Sequence, residues 1–330
     1  MSGVATDRSW RTTAARALCS DYFVLWLCVV YVAAVAPFTP GFASLDNATN
    51  ILATLLPLFV VALGQTLVLI AGGIDLSITS IIGLCSITGA MVMNDETGWL
   101  AHSPLAVPAA IAVMLALGGL VGAFNGVAIT RFRMPPFIVT LAAMMAFSGL
   151  AVWLTQSKAI NQLPAAFNAL GGRTAIALGI ACAAGVGVHV MLSRSLFGRW
   201  LYAIGHNART AHVSGVPVAG VVISAYVCSG VLAALAAILY TGQTETGSPV
   251  LGQRILLDVI GATVIGGTSL FGGKGKVLWT LFGVLFLKLV DNSLNLLNLS
   301  IFTLTIVKGA VILLAALLDS LRTRLAGSHA

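Results

Sequence analysis

Apolar runs of about 20 residues, each long enough to cross a bilayer as a helix, recur along this chain from Asp21 to Asp319. One water-soluble core cannot bury so many of them, so lipid must be the main solvent. Ten segments are expected, near 21–38, 51–71, 75–93, 104–129, 136–155, 173–192, 217–241, 255–271, 277–297 and 301–319. Charge content agrees: the 330 residues include 17 Lys+Arg and 10 Asp+Glu, only 8%, where a soluble domain carries roughly 25%. The expected fold is an all-α polytopic membrane protein with about ten transmembrane helices and discontinuous segments. One membrane domain is expected over 21–319, between a cytoplasmic segment 1–20 and a cytoplasmic tail 320–330.

The formal net charge of +7 is not a nucleic-acid signature, because the basic residues lie in short loops with no aromatic-basic patch. With the N-terminus inside, the inner set is Arg8, Arg11, Arg16, Arg131, Arg133, Arg194, Arg199, Arg209, Lys274, Lys276, Arg322 and Arg324. The outer set is Lys158, Arg173 and Arg254, while Lys288 and Lys308 fall within spans. That bias places both termini in the cytoplasm. A cleaved signal peptide ending near Ala34-Val35-Ala36 would leave an odd number of spans and reverse the bias, so an uncleaved first helix is favoured.

Nothing in the chain reads as catalytic. The five cysteines, Cys19, Cys28, Cys85, Cys182 and Cys228, are odd in number and widely spaced, without CxxC or Cys/His metal spacing. They read as small buried hydrophobes. The glycine cluster Gly266–Gly275 fails the phosphate-loop pattern, since Gly275 follows Lys274 and Thr268 stands at the first glycine. No cofactor or metal is expected on this chain, and any ATP must be used by a partner.

Four stretches combine glycine and polar residues at membrane depth, where irregular backbone is tolerated only inside protein or along a water-filled path. In Ala71–Ser80, two glycines precede Asp75 and Ser77. Either side chain can cap a new helix, or the break can line a path. In Leu257–Gly275, Asp258 precedes a dense glycine run. The longest cytoplasmic connection, Leu196–Pro217, suits a short helix capped by Asn207, ending at Gly215 before Pro217 opens the next span. Its aromatic and basic residues fit either docking into another protein's groove or lying on headgroups. Gly118, Gly122 and Gly126 repeat along one helix face and predict close backbone packing, within the bundle or in a dimer.

These stretches resemble the permeases of simple-sugar ABC importers, the ribose, arabinose, galactose and xylose type, from about Asn50 to Asp319. The resemblance is carried by Gly-Gly-Ile-Asp-Leu-Ser at 72–77, Pro-Phe-Ile-Val-Thr-Leu at 136–141 and Ala-Ile-Gly-x-Asn at 203–207. Ser-Gly at 214–215, Leu-Asp-Val-Ile at 257–260, Ile-Gly-Gly-Thr-Ser-Leu-Phe-Gly-Gly at 265–273 and Asn-Leu-Leu at 295–297 complete it. It implies a permease dimer, of like or unlike chains, working with an ABC ATPase subunit that holds ATP and Mg and with a periplasmic sugar-binding protein. It also implies a coupling helix within 198–215, with Gly205, Asn207, Arg209, Ala211, Ser214 and Gly215 at the ATPase contact. The broken segments 72–80 and 257–269, with Asp75 and Asp258, would face the central pathway as related halves of the fold.

The chain departs from that pattern in places. Arg209 and Thr210 replace an acidic residue and Ala in the coupling helix, making it more basic. Lys288 and Asp291 replace Gly and Asn; at i and i+3 they can pair, or select an unusual sugar or polyol. A hydroxylated solute needs a wall of small and neutral polar groups, and Gln65, Thr66, Ser77, Asn125 and Thr140 are the candidates. The rival readings are an ion-coupled secondary transporter using Asp75, Asp258, Lys288 and Asp291, and a branched-chain amino acid ABC permease. An intramembrane enzyme lacks any nucleophile–base or metal motif.

Overall fold

The computed structural model describes residues 22–300, 302–311, 313, 314 and 317. The expected segments 1–20 and 320–330, with Cys19, Arg8, Arg11, Arg16, Arg322 and Arg324, lie outside the described residues. The protein is all-α. Its helices are α1 (Phe23–Val35), α2 (Leu45–Ile70), α3 (Ile78–Met93), α4 (Ala106–Arg131), α5 (Pro136–Thr155), α6 (Ala165–Gly172) and α7 (Thr174–Arg194). They continue as α8 (Leu196–His206), α9 (Ala208–Val213), α10 (Val218–Thr244), α11 (Leu256–Ile265), α12 (Val277–Leu296) and α13 (Phe302–Val311). Six of the described helices are long and apolar enough to span a bilayer, and α1, α3, α11 and α13 are shorter apolar helices. Together they match the ten expected segments, several of them split.

Boundaries move where caps decide them. α2 starts at Leu45, ahead of the expected 51, because the Ser44 hydroxyl accepts from the Asn47 N–H at 3.2 Å. α11 stops at Ile265 rather than running to 271, because Gly266 and Gly267 follow and Gly267 has φ +105°. α6, tucked against α10, was not anticipated; eight residues carry too little periodicity to stand out.

Burial sorts the helices. The most apolar window of α2 is 83% buried and that of α10 61%, against 22% for α5. So α2 and α10 form the middle, and α5 lies at the periphery with most of its surface uncovered in the isolated chain. α10 packs most extensively on α4, then on α2. The α4–α10 seam is the expected glycine face: a Cβ at Gly118, Gly122 or Gly126 would strike Gly230, Tyr226 or Ile223 of α10. This stripe therefore serves contact within the bundle.

The segment after α10 does not stay at the membrane surface. Gly247 lies against Ser86 and Ala90 of α3, the Pro249 carbonyl against Gly83, and Gly252 against Ile82 and the Thr79 carbonyl. Residues 247–252 thus descend along α3 from its C-terminal to its N-terminal half. Ser86 anchors the descent, accepting from the Ser248 N–H at 3.1 Å and from the Thr241 hydroxyl at 2.7 Å. Gly247 and Ile160 close its upper end as an antiparallel bridge with both hydrogen bonds at 2.8 Å. Arg254, assigned from sequence to an outer loop, lies at the foot of this re-entrant segment.

Candidate pathway and coupling segment

The break between α2 and α3 holds a fully buried carboxylate. Gly72, at φ +80°, turns the chain out of α2, and Asp75 and Ser77 are fully buried. Asp75 Oδ1 accepts from the Ser77 N–H at 3.0 Å and the Ser77 hydroxyl at 2.6 Å, and Oδ2 accepts from the Ser229 hydroxyl at 2.9 Å. The Asn125 amide donates to Ser77 Oγ at 2.8 Å. Asp75 thus closes a local turn on the N–H of Ser77, the residue just before α3, and among the described residues no side chain caps α3 itself. It sits before the N-terminus of α3, where the helix dipole favours negative charge. The Ile74 carbonyl accepts from Tyr226 at 3.1 Å and from Thr140 at 3.4 Å. Five segments meet here: the break itself, α3, α4, α5 and α10.

The remaining neutral candidates are also buried. Thr66 and Thr280 join α2 to α12 through their hydroxyls at 2.7 Å. Gln65 is fully buried, and neither of its amide atoms has a hydrogen-bond partner among the described residues. Gln65, Thr66, Ser77, Asn125 and Thr140 are all fully buried in the isolated chain. They are buried polar groups inside the bundle rather than an open wall, and of the five only Ser77 and Asn125 are bonded to each other.

Asp258 sits elsewhere, in the first turn of α11. Its two oxygens each lie 3.2 Å from Lys308 Nζ of α13. The same ammonium is 2.7 Å from Asp291 Oδ1, and Lys288 Nζ is 3.6 Å from Asp291 Oδ2. The expected Lys288–Asp291 pair is present, as one edge of a four-charge cluster that ties α11, α12 and α13 together. Lys308 was visible in the sequence only as a charge inside a span. Its partners are 50 and 17 residues away, and no local spacing announces them.

The connection 196–217 folds as two short helices at a corner. The Ser195 hydroxyl accepts from the Gly198 N–H and caps α8. The Asn207 side chain accepts from the Thr210 N–H at 3.0 Å and caps α9, as expected. Gly215, at φ +83°, ends α9 before Pro217. Asn207, Arg209, Ser214 and Gly215 are exposed and Ala211 is buried. Gly205 faces inward, so close to the Ile70 carbonyl and the Gly273 N–H that a Cβ would collide with both. Gly273 N–H bonds the Ile70 carbonyl at 2.9 Å, and the Tyr202 hydroxyl donates to the Gly275 carbonyl at 2.6 Å. Thus α8 rests at once on Ile70, which ends α2 just before the first glycine break, and on the second break at Gly272–Gly275. Tyr202, like Ser229 and Tyr226, was not singled out from sequence.

Comparison with known proteins agrees with this architecture. Residues 47–316 match the family model described as branched-chain amino acid transport system / permease component. The ribose import permease of Escherichia coli K12 is 35% identical over 303 residues, 88% of this chain and 91% of that protein. The ribose import permease of Bacillus subtilis 168 is 36% identical over 299 residues, 88% of this chain and 89% of that protein. The L-arabinose transport permease of Escherichia coli K12 is 34% identical over 306 residues, 91% of this chain and 90% of that protein. No solved structure matches the chain. The chain belongs to the ABC importer permeases of the ribose/arabinose type. It is a multi-pass inner-membrane transport subunit of a sugar-type importer, and not an enzyme.

Proposed function

We propose that the chain carries a monosaccharide or related polyol across the inner membrane, driven by ATP hydrolysed on a separate ABC ATPase subunit. ATP and Mg belong to that subunit. The other partners are a second permease chain, like or unlike, and a periplasmic sugar-binding protein, with both termini of this chain in the cytoplasm. The observation that carries the reading is the corner at Asn207: α9 turns its polar residues outward while α8 rests on the end of α2 at Ile70 and on the glycine run at Gly272–Gly275. Gly205 is the inner contact of this lever, and Asn207, Arg209, Ser214 and Gly215 are its outer surface, braced by buried Ala211. Arg209 favours an ATPase groove with acidic residues.

Asp75, Ser77, Asn125 and Thr140, with Gln65 and Thr66, form the polar interior that the moving breaks would expose to solute, and Asp258 serves the pathway from a separate anchor in α11. A solute biases such a switch only through differential affinity for its two states, so tight sugar binding by this chain is not required. Replacing Asn207–Val213 with alanines should abolish ATP-coupled uptake in proteoliposomes while membrane levels stay normal. Unchanged uptake would overturn the reading. The family model's amino acid description favours one alternative, a branched-chain amino acid as cargo. A ligand screen on the cognate binding protein separates the two.

A further inference from the structure

The depth of the re-entrant segment can be read from its neighbours. α4, with 26 residues, is about 39 Å long and spans the full membrane. α3 runs alongside it: Asn125 bonds Ser77 at one level, and the Cys85 thiol bonds the Met114 carbonyl at another. Between those rungs, Thr79 to Ile82 lie level with the middle of α4, around Gly118 to Val121. Gly252 touches both Ile82 and Thr79, so the segment reaches mid-membrane. The next two residues, Gln253 and Arg254, are exposed.

An arginine facing hydrocarbon at that depth costs about 3 kcal/mol on insertion scales, and its side chain is too short to reach either surface. Arg254 has no carboxylate partner among the described residues. Asp258, one turn further along, is engaged by Lys308. The two lysines and two aspartates of that cluster cancel, which leaves the Arg254 charge without a counter-charge among the described residues. A surface of this kind needs water in front of it.

We propose that Gln253 and Arg254 line the solute conduit at mid-membrane and make it electropositive, admitting neutral hydroxyl-rich or acidic solutes and disfavouring cationic ones. The proposal rests on the transport reading for the existence of a conduit, and it adds residues and a charge rule to it. Guanidinium donors suit sugar hydroxyls and carboxylates alike, while the Gln253 amide adds two neutral N–H donors and an acceptor oxygen.

The test is thiol labelling of the full-length chain in its native membrane, in a cysteine-free background. Gln253→Cys should react with small water-soluble thiosulfonates, whereas Val186→Cys on the exposed face of α7 should react only with a lipid-soluble maleimide. The anionic sulfonate reagent should outpace the cationic trimethylammonium reagent by about tenfold relative to a cysteine at exposed Thr97, a size typical of focused fields. Gln253→Cys with Arg254→Gln should lose that preference and stay reactive. Labelling by the lipid-soluble reagent alone would overturn the lining, and labelling without charge preference would overturn the selectivity. Neither result depends on ATP, so loss of ATP-coupled uptake in the alanine variants of α9 can stand or fall separately.

Discussion

Asp75 and Asp258 are both buried aspartates beside a glycine break, yet the protein stabilises them by opposite means. Asp75 is surrounded by neutral donors, and two of its three hydrogen bonds come from Ser77, two residues away. Asp258 depends on a lysine 50 residues away on another helix. A carboxylate bound by its own loop stays satisfied when neighbouring helices shift. One bound by a distant ammonium locks two helices into register. The first arrangement suits a break that moves, and the second a frame that does not. Six substitutions test that contrast.

The largest effect is expected for Lys308→Met, which leaves Asp258 buried beside Asp291 without its cation. Removing one partner of a buried pair costs about 3–5 kcal/mol, read as a lowered SDS-unfolding midpoint in bicelles. Adding Asp258→Asn should recover much of the loss; no recovery would mean Lys308 acts through packing. Asp75→Ala comes second, at about 1–3 kcal/mol for stranded buried donors, and Asp75→Asn should cost less because an acceptor oxygen remains. Should Asp75→Ala prove as damaging as Lys308→Met, the two aspartates would not differ as argued. Ser229→Ala removes one of three donors and should cost about 1 kcal/mol in the same assay. Smallest is Lys288→Met, below about 1 kcal/mol, since Asp291 keeps Lys308 at 2.7 Å.

The same contrast explains what the sequence made legible. Ten apolar segments, the glycine break, the Asn207 cap and the Lys288–Asp291 pair all depend on residues close to one another in sequence. Each could be read from spacing. Ser229, Tyr226 and Lys308 enter their sites only through the packing of distant helices, whose rotation no single sequence reveals. The re-entrant descent of 247–252 was hidden differently. Gly247, Pro249 and Gly252 read as an ordinary loop, and only their contacts with Gly83, Ile82 and Ala90 show that the loop is inside the bundle.

The seam of Gly118, Gly122 and Gly126 has a consequence for how force travels. Backbone lies against backbone there, with the Gly230 and Tyr226 carbonyls filling the notches, so sliding α10 along α4 by a single residue would drive side chains into peptide groups. The pair must tip or roll as one plank. Because α10 begins directly after the corner that ends α9, the proposed coupling would deliver a push on that corner to α4 as rotation of the joined pair.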